Sequence, residues 1–137
     1  MKKYYSIFGL VVLLTLFFII GCAQKTGVDK GFLEGKITIG PICPVEWFPP
    51  DTKCLPTEET YKAWPIIIWT ADKKVKIAQI IPNQDGAYRV ELSNGNYIVD
   101  LKKRQPFGIG SNNLPAAIKI NSGGKTSLDI NIDTGIR

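Results

Sequence analysis

Beyond residue 31 the chain is a succession of short segments in which apolar and polar residues alternate. In the stretch 32–40, Leu33, Gly35, Ile37 and Ile39 share one side and the polar residues at 34, 36 and 38 share the other. A period of two is typical of a strand with one face buried. No stretch after Cys22 combines a helical period with helix caps. The pattern therefore predicts an all-β chain.

Seven segments have this character: 32–40, 64–70, 75–81, 87–92, 96–101, 116–121 and 126–133. Turn residues separate them, including Asp85-Gly86 and Asn94-Gly95, and Asn94-Gly95 is a strong hairpin signal. The last two segments are predicted to pair around 122–124, and a short helical turn is expected at 57–62. Seven short strands predict an antiparallel Greek-key sandwich of two sheets. The inward residues of the fourth and fifth segments are predicted to be Tyr88, Val90, Leu92, Tyr97, Val99 and Leu101.

The chain begins with a basic head, Lys2 and Lys3, followed by an uncharged apolar run from Ile7 to Ile20. As a helix this run would be about 21 Å long, shorter than the roughly 30 Å hydrocarbon core of a bilayer. A basic head, a short apolar run and a small residue before a break are typical of a secretory signal peptide. Residues 1–21 are therefore predicted to be a signal helix.

The end of that run, Ile19-Ile20-Gly21-Cys22, resembles the lipobox of bacterial lipoproteins. The resemblance implies cleavage before Cys22, a diacylglyceryl group on its thiol and a fatty acid such as palmitate on its amine. The mature chain would then be held at the cell membrane or outer membrane, with a flexible tether at 22–31 and a domain at 32–137 facing the periplasm or the cell exterior. The alternatives are an uncleaved transmembrane anchor and a soluble secreted protein.

Length and charge limit what the mature part can be. From Cys22 to Arg137 it has 116 residues, enough for one small domain. Removing Lys2 and Lys3 leaves 15 basic residues against 12 acidic ones, a net charge of +3. So small an excess argues against a nucleic-acid partner.

Of the three cysteines, Cys43 and Cys54 remain as an even pair once Cys22 is assigned to lipid. They enclose a proline-rich loop, 41–56, in which regular structure is not expected. A structural disulfide is favoured in an oxidising compartment. The alternatives are a metal site, which two thiols without any histidine do not complete, and a redox pair, which usually has closer spacing.

A second resemblance concerns the domain itself. Asp85-Gly86, then Tyr88-x-Val90-x-Leu92, then Tyr97-x-Val99, together with Glu34-Gly35-Lys36-Ile37, are similar to the hallmark of carboxypeptidase regulatory-like domains, which have a transthyretin-like sandwich. The segments 40–44 and 133–137 are similar to a group of small exported proteins of this type. The resemblance implies this fold and implies no catalytic residues.

The residue inventory also argues against an enzyme. Without histidine there can be no Ser-His-Asp or Cys-His arrangement. Glu58 and Glu59 are adjacent loop residues suited to solubility, and Gly108-Ile-Gly110 lacks the context of a phosphate-binding loop. No cofactor and no metal are expected.

Two non-catalytic functions fit the sequence. The first is a binding or structural module at the cell envelope, which contacts an envelope protein or glycan through Trp47 and Phe48 in the disulfide loop. The alternative for these two aromatic residues is that they cover one end of the core. The second function is a pilin-like structural brick or an accessory domain of an envelope enzyme. A pilin-type isopeptide bond would use Lys36 and Asn131 with Glu91 nearby, but Lys36 falls on the polar face and the bond needs a desolvated lysine.

Overall fold

A computed structural model describes residues 29–45, 48–49, 51–103 and 109–137. The predicted signal helix, Cys22 and Trp47 lie outside the described residues. Within the described ranges, no helix is both long enough and apolar enough to cross a bilayer. The tether predicted for 22–31 extends too far, because the first strand already begins at Lys30.

The described chain is an all-β sandwich of two sheets with one short α-helix, as predicted. The elements are β1 Lys30–Gly40, α1 Glu58–Ala63, β2 Ile66–Thr70, β3 Lys76–Ile80, β4 Ala87–Ser93, β5 Gly95–Leu101, β6 Gly110–Ser111, β7 Ala116–Ile120, β8 Lys125–Ser127 and β9 Ile130–Asp133. The first sheet has the order β4-β1-β9-β6, with β8 also paired to β1. The second sheet has the order β3-β2-β5-β7.

The prediction of seven strands is wrong, since the described ranges contain nine. One extra strand is β6, only two residues long, which lies between the predicted strand segments 96–101 and 116–121. The other arises because the segment 126–133 is divided into β8 and β9. At the division the Asp129 carboxylate accepts a hydrogen bond from the Lys36 backbone N–H at 2.8 Å. The Asp129 side chain thus satisfies a backbone N–H of β1. In a continuous strand, a backbone carbonyl of that strand would have accepted this hydrogen bond.

The prediction of a purely antiparallel sandwich is also wrong. β1 pairs antiparallel with β4, from Lys30 opposite Ser93 to Lys36 opposite Ala87. Its other side pairs in parallel with β8, Phe32 opposite Lys125, and then with β9, Ile37 opposite Ile130. The long β1 is therefore the strand around which the first sheet is built.

Two predicted hairpins are absent because the chain crosses between sheets at those points. β4 lies in the first sheet and β5 in the second, so Asn94-Gly95 connects layers. Gly95 has no positive φ, which a type I′ turn would require. Asn94 N–H instead donates to Asp29 O at 2.6 Å. Likewise β7 belongs to the second sheet while β8 pairs with β1, so the last two predicted segments do not pair around 122–124.

The hydrophobic core lies between the sheets and follows the predicted inward pattern closely. Leu33, Ile37 and Ile39 of β1 are buried, and Gly35 between them is half-buried. Other buried apolar side chains are Ile66, Ile68, Ile80, Tyr88, Leu92, Val99, Leu101, Ile120, Ile130 and Ile132. Val90 and Tyr97, which were also predicted to face inward, are half-buried and pack against this cluster.

The buried hydroxyl of Tyr88 donates to Leu128 O at 2.6 Å, which ties β4 to the chain between β8 and β9. Burial, with a smaller contribution from Asp129, raises the pKa of Tyr88 well above its ordinary value. We expect Tyr88→Phe to lower the free energy of unfolding by about 1 kcal/mol, because the hydrogen bond from this buried side chain to Leu128 O is lost. Urea denaturation measures this. Tyr97→Phe is the matched control, since its hydroxyl donates to Ser93 O at 2.9 Å on the surface. Equal losses for the two variants would contradict the assignment.

The sandwich has two distinct ends, set by the direction of β1. At about 3.3 Å per residue, its 11 residues span about 36 Å. At the tether end lie Lys30, the β4–β5 connection, the 121–124 turn and the β2–β3 turn, whose Lys73 has a φ of 58°. At the opposite end, the loop end, lie the loop 41–56, the 81–86 turn and the C-terminal ends of β5 and β9. In the 81–86 turn, Gly86 has a positive φ of 82°, in agreement with the turn predicted at Asp85-Gly86.

Candidate functional site

The disulfide loop follows directly from the end of β1. Cys43 and Cys54 are bonded, as predicted, with their Cα atoms 5.4 Å apart. Cys54 ends a single 3₁₀ turn, Thr52–Cys54, which is capped by the Asp51 carboxylate accepting from Lys53 N–H at 3.0 Å. The bond closes the loop, and while it is formed its two sulfurs are not available as thiolate ligands for a metal.

Helix α1 fixes the exit of the loop. It begins with a reciprocal capping box, in which the side chains of Thr57 and Thr60 each accept from the other's backbone N–H. Tyr61 and Trp64, at its end, pack against the core. The helix confirms the short helical turn predicted for 57–62. It anchors the C-terminal end of the loop, whereas β1 precedes the N-terminal end.

Phe48 is fully presented to solvent, with 98% of its surface exposed. It therefore does not cover the core, which was the alternative for this side chain. Trp47 lies outside the described residues. An exposed large aromatic ring on a cross-linked loop is the kind of side chain that dominates binding energy at protein interfaces.

A cleft of about 360 Å³ lies at the base of the loop. It is lined by Thr38, Gly40, Pro41, Gly110, Asn112, Asn131, Ile132 and Asp133. Thr134 fastens this region, because its hydroxyl donates to Pro41 O and its N–H donates to Gly40 O at 3.2 Å. The lining offers amides, a hydroxyl and a carboxylate, which can form hydrogen bonds with hydroxyl or amide groups of a partner.

The carboxylate of the cleft, Asp133, is held by the C-terminal residue. Arg137 donates to it through two nitrogens, at 3.0 and 2.7 Å, and Gly135 N–H donates at 2.8 Å. The Arg137 hydrogen bonds, followed by that of Gly135, lower the pKa of Asp133 from 3.8 to about 2. Because the folded-state pKa is the lower one, this carboxylate favours folding above pH 4 and loses that contribution as the pH falls towards 2.

We expect Arg137→Ala to raise the pKa of Asp133, since the principal cause of its depression is removed while the Gly135 hydrogen bond remains. Carboxyl-carbon NMR titration measures the shift. Arg89→Ala is the control, because Arg89 stacks on Phe32 at 3.9 Å and ion-pairs weakly with Glu34 on the first sheet. An unchanged Asp133 pKa in Arg137→Ala would contradict the assignment.

The described residues weighed for catalysis and for phosphate binding lie in separate elements, α1 and β6. The described ranges contain no group of three or more histidine, cysteine, aspartate or glutamate side chains placed to hold a metal. Glu58 forms an ion pair with Lys62 at 2.7 Å on the surface of α1. Gly110 lies in β6, with no helix following it. The described buried side-chain polar atoms all have hydrogen-bond partners.

The residues considered for an isopeptide bond are not brought together in a buried site. Lys36 and Asn131 are both exposed on the outer face of the first sheet, where Asn131 lies opposite Thr38. Glu91 forms an ion pair with Lys30 at the tether end instead. Because the bond needs a desolvated lysine, this arrangement does not favour it.

No protein-family model and no curated protein matches the chain. Among solved structures, the chain is similar to a minor pilin of Streptococcus agalactiae, with 14% identity and a TM-score of 0.50 over 77% of this chain and 45% of that one. A DUF3823 family protein from Parabacteroides merdae has 20% identity and a TM-score of 0.44 over 77% and 46% of the two chains. The Bacillus anthracis TIE protein has 13% identity and a TM-score of 0.47 over 77% and 17%. The chain spans less than half the length of these structures, and the likeness to the pilin is one of fold.

Proposed function

We propose that this protein is an exported, lipid-anchored and non-catalytic module of the cell envelope, which binds a protein or glycan partner through its disulfide loop. The observation that carries the proposal is the placement of Phe48. It is 98% exposed on the loop that leaves β1 at Gly40, whereas the anchor sequence joins β1 at Lys30. A partner bound at Phe48 and a lipid attached at Cys22 would therefore lie towards opposite ends of a strand about 36 Å long.

Two further observations support export and binding. The Cys43–Cys54 disulfide is of the kind that persists in oxidising compartments outside the cytoplasm. The cleft is lined by Gly40 and Pro41, where the loop leaves β1, and it adds polar groups that could form hydrogen bonds with a partner at this end of the domain.

Metabolic labelling with a palmitate analogue tests the anchor. We expect label on the wild-type chain and none on Cys22→Ala, with wild type partitioning into the detergent phase after Triton X-114 separation. Label that persists in Cys22→Ala would contradict the assignment of the lipidated residue.

Chemical crosslinking on intact cells, followed by quantitative mass spectrometry, tests the loop. We expect Phe48→Ala to reduce the yield of crosslinked partner by more than ten-fold, the scale of a hot-spot residue. Ile77→Ala is the matched control, because Ile77 is also an exposed apolar residue but lies in β3, outside the disulfide loop. Equal yields for wild type and Phe48→Ala would overturn the role of the loop.

A pilin-like structural brick is the second candidate, and the sandwich likeness to the minor pilin favours it. The two candidates differ in the state of the chain on the cell. A brick would be recovered in covalent, detergent-resistant polymers, whereas a binding module would be recovered as single chains after boiling in detergent.

A further inference from the structure

Lysines from distant parts of the sequence gather at the tether end. The lysines at this end of the described chain are Lys30, Lys73, Lys74, Lys76, Lys119 and Lys125. The carboxylates at the same end are Asp29, Asp72 and Glu91. Two further carboxylates reach its lysines, Asp100 at 2.7 Å from the Lys73 ammonium and Glu34 at 3.8 Å from that of Lys125, so six positive side chains face five negative ones. The tether end therefore carries an excess of positive charge.

The loop end does not share this excess. Its described cations are Lys53, Lys62, Lys102, Lys103 and Arg137, and its described anions are Asp51, Glu58, Glu59, Asp85 and Asp133. Five charges of each sign balance there. The positive charge of the described domain is thus directed towards the anchor.

Several of the tether-end lysines have little internal compensation. Lys74 is 80% exposed and lies 3.9 Å from Asp72, and Lys125 is 62% exposed and lies 3.8 Å from Glu34. Both distances are too long for hydrogen bonds, and exposed pairs of this kind contribute little. These two ammonium groups remain free to meet an external anion.

The β2–β3 turn presents its charge next to an apolar side chain. Val75 follows Lys74 and is 54% exposed. The turn is held in shape by Asp72, which accepts from Lys74 N–H at 3.1 Å, and by the Thr70 hydroxyl, which accepts from Val75 N–H at 3.1 Å. A basic residue beside an exposed apolar one is suited to the boundary between lipid headgroups and acyl chains.

The length of the tether sets the reach of this surface. From Cys22 to Asp29 there are seven residue steps, which span at most about 25 Å when fully extended. Since β1 begins at the tether end, that end is the part of the domain nearest to lipid attached at Cys22. The anchor would hold the lysines where an anionic surface attracts them, within a Debye length of about 8–10 Å once the end touches the membrane.

We propose that the tether end docks on the anionic phospholipid surface of the membrane that holds the anchor, so that the disulfide loop points away from it. This inference rests on the proposed lipidation of Cys22. It goes further, because it assigns an orientation to the domain and a lipid-binding role to Lys74, Val75 and Lys125. Each lysine near an anionic surface strengthens the attachment about five-fold.

The test uses the mature lipidated chain in vesicles of phosphatidylcholine, alone or mixed with phosphatidylglycerol. A fluorophore is placed on Ser122→Cys at the tether end or on Gln84→Cys at the loop end, both exposed positions. Resonance energy transfer to a headgroup-labelled lipid reports the distance to the membrane. We expect phosphatidylglycerol to increase transfer from position 122 and not from position 84. The increase should disappear as salt is raised from about 0.1 M to about 1 M.

Charge reversal gives the matched comparison. Lys74→Glu with Lys125→Glu is expected to weaken docking at least about 25-fold and to abolish the effect of phosphatidylglycerol. Lys53→Glu with Lys103→Glu changes the net charge equally at the loop end and is expected to leave the effect intact. Equal losses in both variants, or no effect of phosphatidylglycerol on wild type, would overturn the docking surface.

Intact mass before reconstitution separates the two proposals. A chain without acyl groups overturns the lipid anchor and, with it, the docking that depends on the anchor. An acylated chain whose position 122 stays distant from anionic headgroups overturns the docking alone.

Discussion

Ile68→Ala is expected to lower the free energy of unfolding by about 2–5 kcal/mol, which is a large part of the 5–15 kcal/mol typical of a whole domain. Ile68 lies in β2, between Ala78 of β3 and Val99 of β5, and none of its surface is exposed. Removing its side chain beyond Cβ leaves a cavity in the centre of the second sheet, where neighbours on both sides limit collapse. Guanidinium denaturation followed by tryptophan fluorescence measures the loss.

Two companion variants make the result interpretable. Ile68→Val removes one methylene and is expected to cost about 0.5–1.5 kcal/mol. Ile81→Ala makes the same chemical change at a side chain that is 80% exposed, and it is expected to fall within about 0.5 kcal/mol of wild type. A similar loss for Ile81→Ala and Ile68→Ala would contradict the assigned core.

The double variant Cys43→Ser/Cys54→Ser is expected to have a free energy of unfolding about 3 kcal/mol lower than that of wild type. The disulfide closes a loop of about 12 residues and so restricts the unfolded chain. The midpoint of denaturation measures this, and wild type with reducing agent should reproduce it. Since the described part of the loop adds no strand to either sheet, the far-ultraviolet circular dichroism of the variant should resemble that of wild type.

A second readout distinguishes the loop from the rest of the domain. If the disulfide maintains the binding conformation of the loop, the double variant should also give a lower yield of crosslinked partner. This should be seen without denaturant, where the variant is still folded. Identical denaturation midpoints for the oxidised and reduced proteins would contradict a stabilising role for the bond.

The alternation of apolar and polar residues predicted which side chains face the core. It could do so because the pleat of a strand points successive side chains to opposite faces. Leu33, Ile37 and Ile39 are buried for this reason. The neighbours of a strand are not encoded in that way. β1 pairs in parallel with β9, from Ile37 opposite Ile130, and a local pattern carries no information about a partner so distant in sequence.

Turn signals predicted where the chain turns, as at Gly86, but not whether the flanking strands pair. The polar segment 71–74 does connect paired strands, β2 and β3. Asn94-Gly95 has the composition of a hairpin turn, but the inward faces of β4 and β5 belong to opposite layers of the same core. Burying both faces requires the chain to cross, and this requirement overrides the local preference.

For the candidate site, the sequence predicted that Cys43 and Cys54 pair, because they remain as an even number of cysteines. It also predicted that an aromatic residue lies in the loop between them. It did not predict the basic tether end. Lys30, Lys74 and Lys125 are separated by about fifty residues each, and only the order of the strands brings them to one end. The cleft was missed for the same reason, since Asp133 and Gly40 meet through parallel pairing.

The position of β1 has a mechanical consequence. Suppose that a partner binds the disulfide loop while the membrane holds the lipid anchor. The two would then pull on the two ends of a single strand, at Gly40 and at Lys30. Tension would then pass along the covalent backbone of β1, which is already extended, without crossing any hydrogen bond between strands. The other strands would lie outside the line of force, so a cell under flow could be held through this domain without unfolding it.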